Sequence, residues 1–132
     1  MGDIDILVKR TEIGSVMKTL ADLGYEMDDQ HWLRYCQHGH HHLPGARHPN
    51  SGVTVEVHTG LMSSSGPFAG EPVFHSDNVE AQRDLFDRKG ILAARFTPEF
   101  QLVYTIAHWA ADGNWAVNLT SINDAVHILR RH

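Results

Sequence analysis

Two hydrophobic periods alternate along this chain, and they predict its elements. Ile4, Ile6, Leu7 and Val8 cluster at the start and predict a strand over 3–8. In "TEIGSVMKTLADLGYE", Ile13, Val16, Met17, Leu20 and Leu23 step by three and four, which predicts an amphipathic helix. Thr11 is placed to cap that helix and Gly24 to end it. The stretch 31–43 reads as extended, and "PGARHPNSG" (44–52), with two prolines and two glycines, reads as a turn or loop. "VTVEVHT" (53–59) alternates and predicts a second strand. Residues 60–78 show no period. A short helix is expected over 78–89, closed by Gly90.

Thr97, followed by Pro98, caps a longer helix whose packed side carries Phe100, Val103, Tyr104 and Ala107, with Gly113 at its end. Ser121 opens a last helix with Ile122, Val126 and Leu129 on one face. The order of strands and then helices predicts an α+β fold with a small mixed β-sheet and a helical C-terminal subdomain. The expected division is 1–76 for the α/β core and 77–132 for the helical part.

Composition narrows the function classes. The chain has 132 residues, enough for one domain with its own core. Its net charge of -5, with histidines neutral, argues against a nonspecific nucleic-acid binder. One cysteine, Cys36, excludes an internal disulfide and fits a reducing compartment. No 18-residue apolar run or signal peptide is present, so the expectation is a cytoplasmic protein with no membrane partner.

Within this frame the acidic residues of the two strands carry the chemistry. On a strand, Asp3 and Asp5 share one face, and their side chains stand roughly 7 Å apart at the backbone. Two carboxylates this close repel unless a cation lies between them, and a hard ion such as Mg²⁺ or Mn²⁺ suits oxygen ligands. Taken alone, the pair also reads as a solvated strand edge. In the second strand Glu56 faces away from Val55 and Val57, together with Thr54 and His58. Three acids on adjacent strands can hold two divalent ions, an arrangement suited to phosphoryl or nucleotidyl transfer. Glu56 taken alone also reads as a surface strand position.

Several segments in order resemble a known family. "GDIDILV", a helix ending "LADLGY", and "HHLPGARHPNSGVTVEVHTGL" are similar to the uncharacterised nucleotidyltransferases of the DNA polymerase β superfamily. So is the tail "FQLVYTIAHWAADGNWAVNLTSINDAVHIL", with a histidine in one helix and an aspartate in the next. The resemblance implies the nucleotidyltransferase fold, with Asp3 and Asp5 as the metal-binding pair and Glu56 as the third acid. It also implies Mg²⁺ or Mn²⁺ as cofactor, and transfer of a nucleoside monophosphate from a nucleoside triphosphate to an unknown hydroxyl acceptor. The superfamily places a Gly-Ser or Gly-Gly element, which cradles the triphosphate, about ten residues before the aspartate pair. This chain begins at Met1, and its Gly14-Ser15 follows the pair. The expectation is therefore a fragment, a chain whose start is wrongly assigned, or a relative that has lost nucleotide binding, which by itself binds nucleoside triphosphate poorly and transfers nucleotide slowly or not at all. Lack of the first helix would bare one sheet face and favour a homo-oligomer.

The histidines leave further readings open. In "HGHHH", His38, His40 and His42 share a face if extended, and His58 could join them near Glu56. That pattern permits a histidine-based zinc site. The preferred expectation is that His42, His58 and Arg47 line the cleft and meet the nucleotide's phosphates. Lys9, Arg34 and Arg95 are further basic candidates. His108 reads as a core histidine, with Asp124 as its prospective partner across two helices. A non-catalytic binding module that keeps the fold is the other alternative.

Overall fold

The computed structural model describes residues 3–27, 35, 40–111 and 119–130, without the side chains of 76, 77 and 119–121. The chain forms two compact units, Met1–Ser64 and Ser65–His132.

The first unit is built on a mixed sheet. Strand β1 (Ile4–Leu7) runs parallel to β3 (Thr54–His58), and β2 (Ala46–Arg47) runs antiparallel to β3 on its other side. The order is β1–β3–β2. Helix α1 (Ile13–Asp22) connects β1 to the rest and lays its apolar stripe on one sheet face. Ile13 and Leu20 are buried there with Leu43, Ala46, Val55 and Val57, and Ile6, Val8, Val16 and Met17 pack around them. The two-residue period of β3 explains the arrangement: its valines go to the core, and Thr54, Glu56 and His58 go to the opposite face.

Local chemistry sets the ends of α1. Thr11, expected to cap it, lies inside a 3₁₀ turn, Arg10–Glu12, and the helix begins at Ile13. Glu12 reaches back instead, its carboxylate accepting the Lys9 backbone N–H at 3.0 Å. At the other end Gly24 takes φ 85°. Tyr25 N–H donates to the Leu20 carbonyl and Gly24 N–H to that of Ala21, the paired bonds of a Schellman ending.

Two expectations for 31–52 need correction. The extended reading of 31–43 holds at its end, where His41 and Leu43 bond to Thr59 and Val57. Tyr35 is helical, and 28–34 and 36–39, including His38, Arg34, Trp32 and Cys36, lie outside the described residues. The segment 44–52 is not all loop, because Ala46–Arg47 joins the sheet and the turn proper spans His48 to Val53. Pairing shifts in between. His42 faces His58 and Ala46 faces Val55, so one side takes four steps where the other takes three. The extra residue makes a bulge at Pro44-Gly45, opposite Glu56. Proline has no N–H for the ladder, which explains where the pairing breaks.

The second unit corrects the expected helix over 78–89. A short helix, α2 (Ser76–Val79), and a 3₁₀ turn, Glu80–Gln82, give way to a hairpin of β4 (Arg83–Arg88) and β5 (Ile91–Phe96). Gly90 does not end a helix. It is the second residue of a two-residue turn in which Lys89 (φ 56°) and Gly90 (φ 82°) are both left-handed, as a type I′ turn requires. Cross-strand pairs overrode the local helix propensity: Asp84 faces Arg95, and Phe86 faces Ala93.

The starts of the remaining helices match the expectation closely, while Gly113, expected to end the first of them, lies outside the described residues. Helix α3 (Pro98–Ala111) starts behind Thr97, whose hydroxyl accepts the Phe100 N–H at 3.4 Å. Helix α4 (Leu119–Arg130) begins two residues earlier than Ser121. Rings of Phe74, Phe96, Phe100 and Tyr104 pack in succession beside α3. No described helix is long and apolar enough to cross a membrane.

Candidate metal centre

Parallel register brings the acids together. Asp5 of β1 stands beside Glu56 of β3, and Leu7 stands beside His58. Strand periodicity then puts Asp5, Glu56 and His58 on the face away from α1. One ligand atom from each lies within 4.8 Å of the others, the only such group of three among the described residues. His58 Nε2 is 3.3 Å from Asp5 Oδ1 and 3.7 Å from Glu56 Oε2. Asp5 is half exposed, so the group opens to solvent through β1.

His58 is the buried member, at 5% exposure. Neither ring nitrogen completes a hydrogen bond among the described residues, although Nε2 stands close to Asp5 Oδ1. Burial pushes the His58 pKa below its ordinary 6.5. Asp5 and Glu56 raise it and His42 lowers it further, without reversing the direction. The ring is therefore neutral at pH 7 and keeps a lone pair for a ligand.

The neighbours complete the site. His42 faces His58 across the ladder, with ring centroids 5.2 Å apart and Nδ1 3.7 Å from Glu56 Oε2. That Nδ1 also lies 3.0 Å from the Leu43 carbonyl, to which its N–H tautomer donates. The bulge brings Gly45 close against Thr54. A Cβ on Gly45 would come within 2.8 Å of Thr54 Cγ2 and 3.7 Å of Glu56 Oε1. Arg47 pairs with Thr54 and so shares the parity of Glu56 on the adjacent strand, where it is exposed.

The other sequence-derived candidates are placed as follows. Asp3 precedes β1, is exposed, and stands outside the three-residue group. His40 stacks on Tyr35 at 4.5 Å, and neither His40 nor His42 joins a metal-capable group among the described residues. Arg95 lies in the second unit over the Phe86 ring. His108 packs edge-on against Tyr104, and Asp124 is exposed. The sequence placed His58 among the phosphate contacts, or with the other histidines in a zinc site, but not in one donor set with the acids, although the alternation of "VEVH" already put it on the face of Glu56. Nothing in the local pattern of "LPGA" marked a bulge.

Two carboxylates and a neutral imidazole whose nitrogens complete no hydrogen bond among the described residues, converging within one ion's reach, fit a divalent cation. The acids supply the charge that such an ion needs, and the ion relieves their repulsion. Comparison with curated proteins and with solved structures finds no match. Comparison with protein families matches all of residues 1–132, and the chain belongs to the family described as uncharacterised nucleotidyltransferase.

Proposed function

We propose that the Asp5–Glu56–His58 face is the site of a divalent-metal-dependent nucleotidyl transfer, from a nucleoside triphosphate to a hydroxyl acceptor. The observation that supports it most is the parallel register that sets Asp5 against Glu56, in a chain of this family. In the reaction the acceptor oxygen bonds to the α-phosphorus, the α–β bridging P–O bond breaks, and pyrophosphate leaves. A bound Mg²⁺ or Mn²⁺ would neutralise phosphate charge and acidify the acceptor hydroxyl.

The chain's own residues have separate tasks in this reading. Asp5 and Glu56 hold the cation, and Asp3, exposed just before the strand, adds a third carboxylate once nucleotide and metal enter. Arg47, on the same side of the sheet as Glu56, meets the phosphates through charge-assisted hydrogen bonds. His42 stands beside Glu56 and donates to the Leu43 carbonyl, which holds its ring at the edge of the face.

The test is incorporation of label from α-labelled nucleoside triphosphates into a panel of hydroxyl-bearing acceptors, with Mg²⁺ or Mn²⁺ present. The expected result is slow transfer, since residues 1–132 carry no Gly-Ser phosphate cradle before the acids, that Glu56→Gln and chelator both abolish. Nucleotide binding with no transfer under any condition would instead assign a non-catalytic binding module. Transfer that survives Glu56→Gln would overturn the site.

A further inference from the structure

We propose that His58 is itself a metal ligand, and that the resulting site of two carboxylates and one imidazole takes Mn²⁺ in preference to Mg²⁺. The proposal rests on the reading that this face holds a divalent ion, and it goes further by naming the donor set and the ion. His58 has a side chain only 6% exposed, and its Nε2 points between Asp5 Oδ1 and Glu56 Oε2. Neither of its nitrogens has a hydrogen-bond partner among the described residues. A buried imidazole is ordinarily satisfied on at least one side. One that is unsatisfied, and aimed between two carboxylates, has the lone pair a metal would use.

The donor set then discriminates between ions. Mg²⁺ binds oxygen almost exclusively and keeps its waters. Imidazole nitrogen favours first-row transition ions, while carboxylates keep Mn²⁺ well served. The half-exposed Asp5 leaves coordination positions for water or phosphate on the open side. Three carboxylates alone would bind both ions through oxygen and separate them weakly. A nitrogen in the set is what creates selectivity.

The experiment is pulsed electron paramagnetic resonance of the full chain loaded with Mn²⁺, alongside calorimetric titration with Mn²⁺ and with Mg²⁺. The expected spectrum shows coupling to a directly bound ¹⁴N. That coupling should persist in His42→Gln and vanish in His58→Gln. In the titrations His58→Gln should lower Mn²⁺ affinity by about tenfold or more and leave Mg²⁺ affinity within about threefold. Mn²⁺ binding without nitrogen coupling would overturn the His58 assignment and leave the carboxylate site standing. Coupling lost in His42→Gln would transfer the ligand role to His42 and overturn the proposal too. Absence of any divalent-ion binding would overturn both this inference and the functional reading beneath it. Should His58→Gln fail to fold, the wild-type and His42→Gln spectra still decide.

Discussion

Asp5 and Glu56 face each other as like charges on neighbouring strands, and much of the site's behaviour follows from that pair. Asp5→Asn removes a ligand and a repulsion together. It should lower Mn²⁺ affinity by at least about tenfold while shifting stability by less than about 0.5 kcal/mol, checked by calorimetry and urea denaturation. His58 gives a pH dependence with a definite sign. Its folded pKa lies below the ordinary 6.5, so between the two values the unfolded chain binds more protons. The contribution is present above pH 6.5 and is lost as pH falls through the folded value. In metal-free protein the urea midpoint should fall between about pH 7.5 and about pH 5.5, and His58→Gln should flatten that fall. An equal fall in both would place the effect in other groups. Gly45 is a third residue-scale test. Gly45→Ala drives a methyl into Thr54 Cγ2, so it should cost about 1–3 kcal/mol in urea denaturation.

Among the elements, α1 and the β4–β5 hairpin show control by a period and control by cross-strand pairing side by side. The end of α1 was legible because Gly24 does a local job: it adopts φ 85° where a side chain would meet its own carbonyl. Gly24→Ala should destabilise the protein by about 1 kcal/mol in thermal melts. The hairpin was not legible. Arg83 to Arg88 shows no alternation, since Leu85 and Phe86 are adjacent, and Lys-Gly is a weaker turn signal than Asn-Gly. Its strands form through six cross-strand pairs, which depend on the turn closing and not on a period along either strand. Lys89→Asn should therefore stabilise the turn by a few tenths of a kcal/mol, because asparagine tolerates the left-handed region better. No gain in melting temperature would argue that Lys89 makes a compensating contact.

At the scale of the whole molecule, charge is the property that the histidines control. The chain carries net charge -5 with eleven histidines neutral, and its isoelectric point is about 6.1. Protonation of the histidines takes it through zero charge in mildly acidic buffer, where mutual repulsion between molecules disappears. Exposed Leu85, Ile91, Leu92 and Leu129 then lack a charge barrier against association. Light scattering against pH should show maximal self-association near pH 6.1 and recovery on either side. A flat profile would show that those apolar side chains are shielded.

The sequence by itself determined the α+β class, the strand over 4–7, helix α1 and its glycine stop, strand β3, and the Thr97-Pro98 start of α3. Each rests on a period or a cap confined to a few neighbouring residues. It also placed Glu56 and His58 on one face, because strand alternation needs no partner. Only the tertiary structure decided that β1 runs beside β3 in the register that sets Asp5 against Glu56. That register depends on how α1 buries Ile13 and Leu20 over Val55 and Val57, a packing far apart in sequence. The same long-range pairing placed a bulge at Pro44-Gly45, left Asp3 outside the three-residue group, and put His58 in it with unsatisfied nitrogens. A site made by convergence of separate strands is visible in one strand only as residue types, and becomes a geometry when the sheet closes over its core.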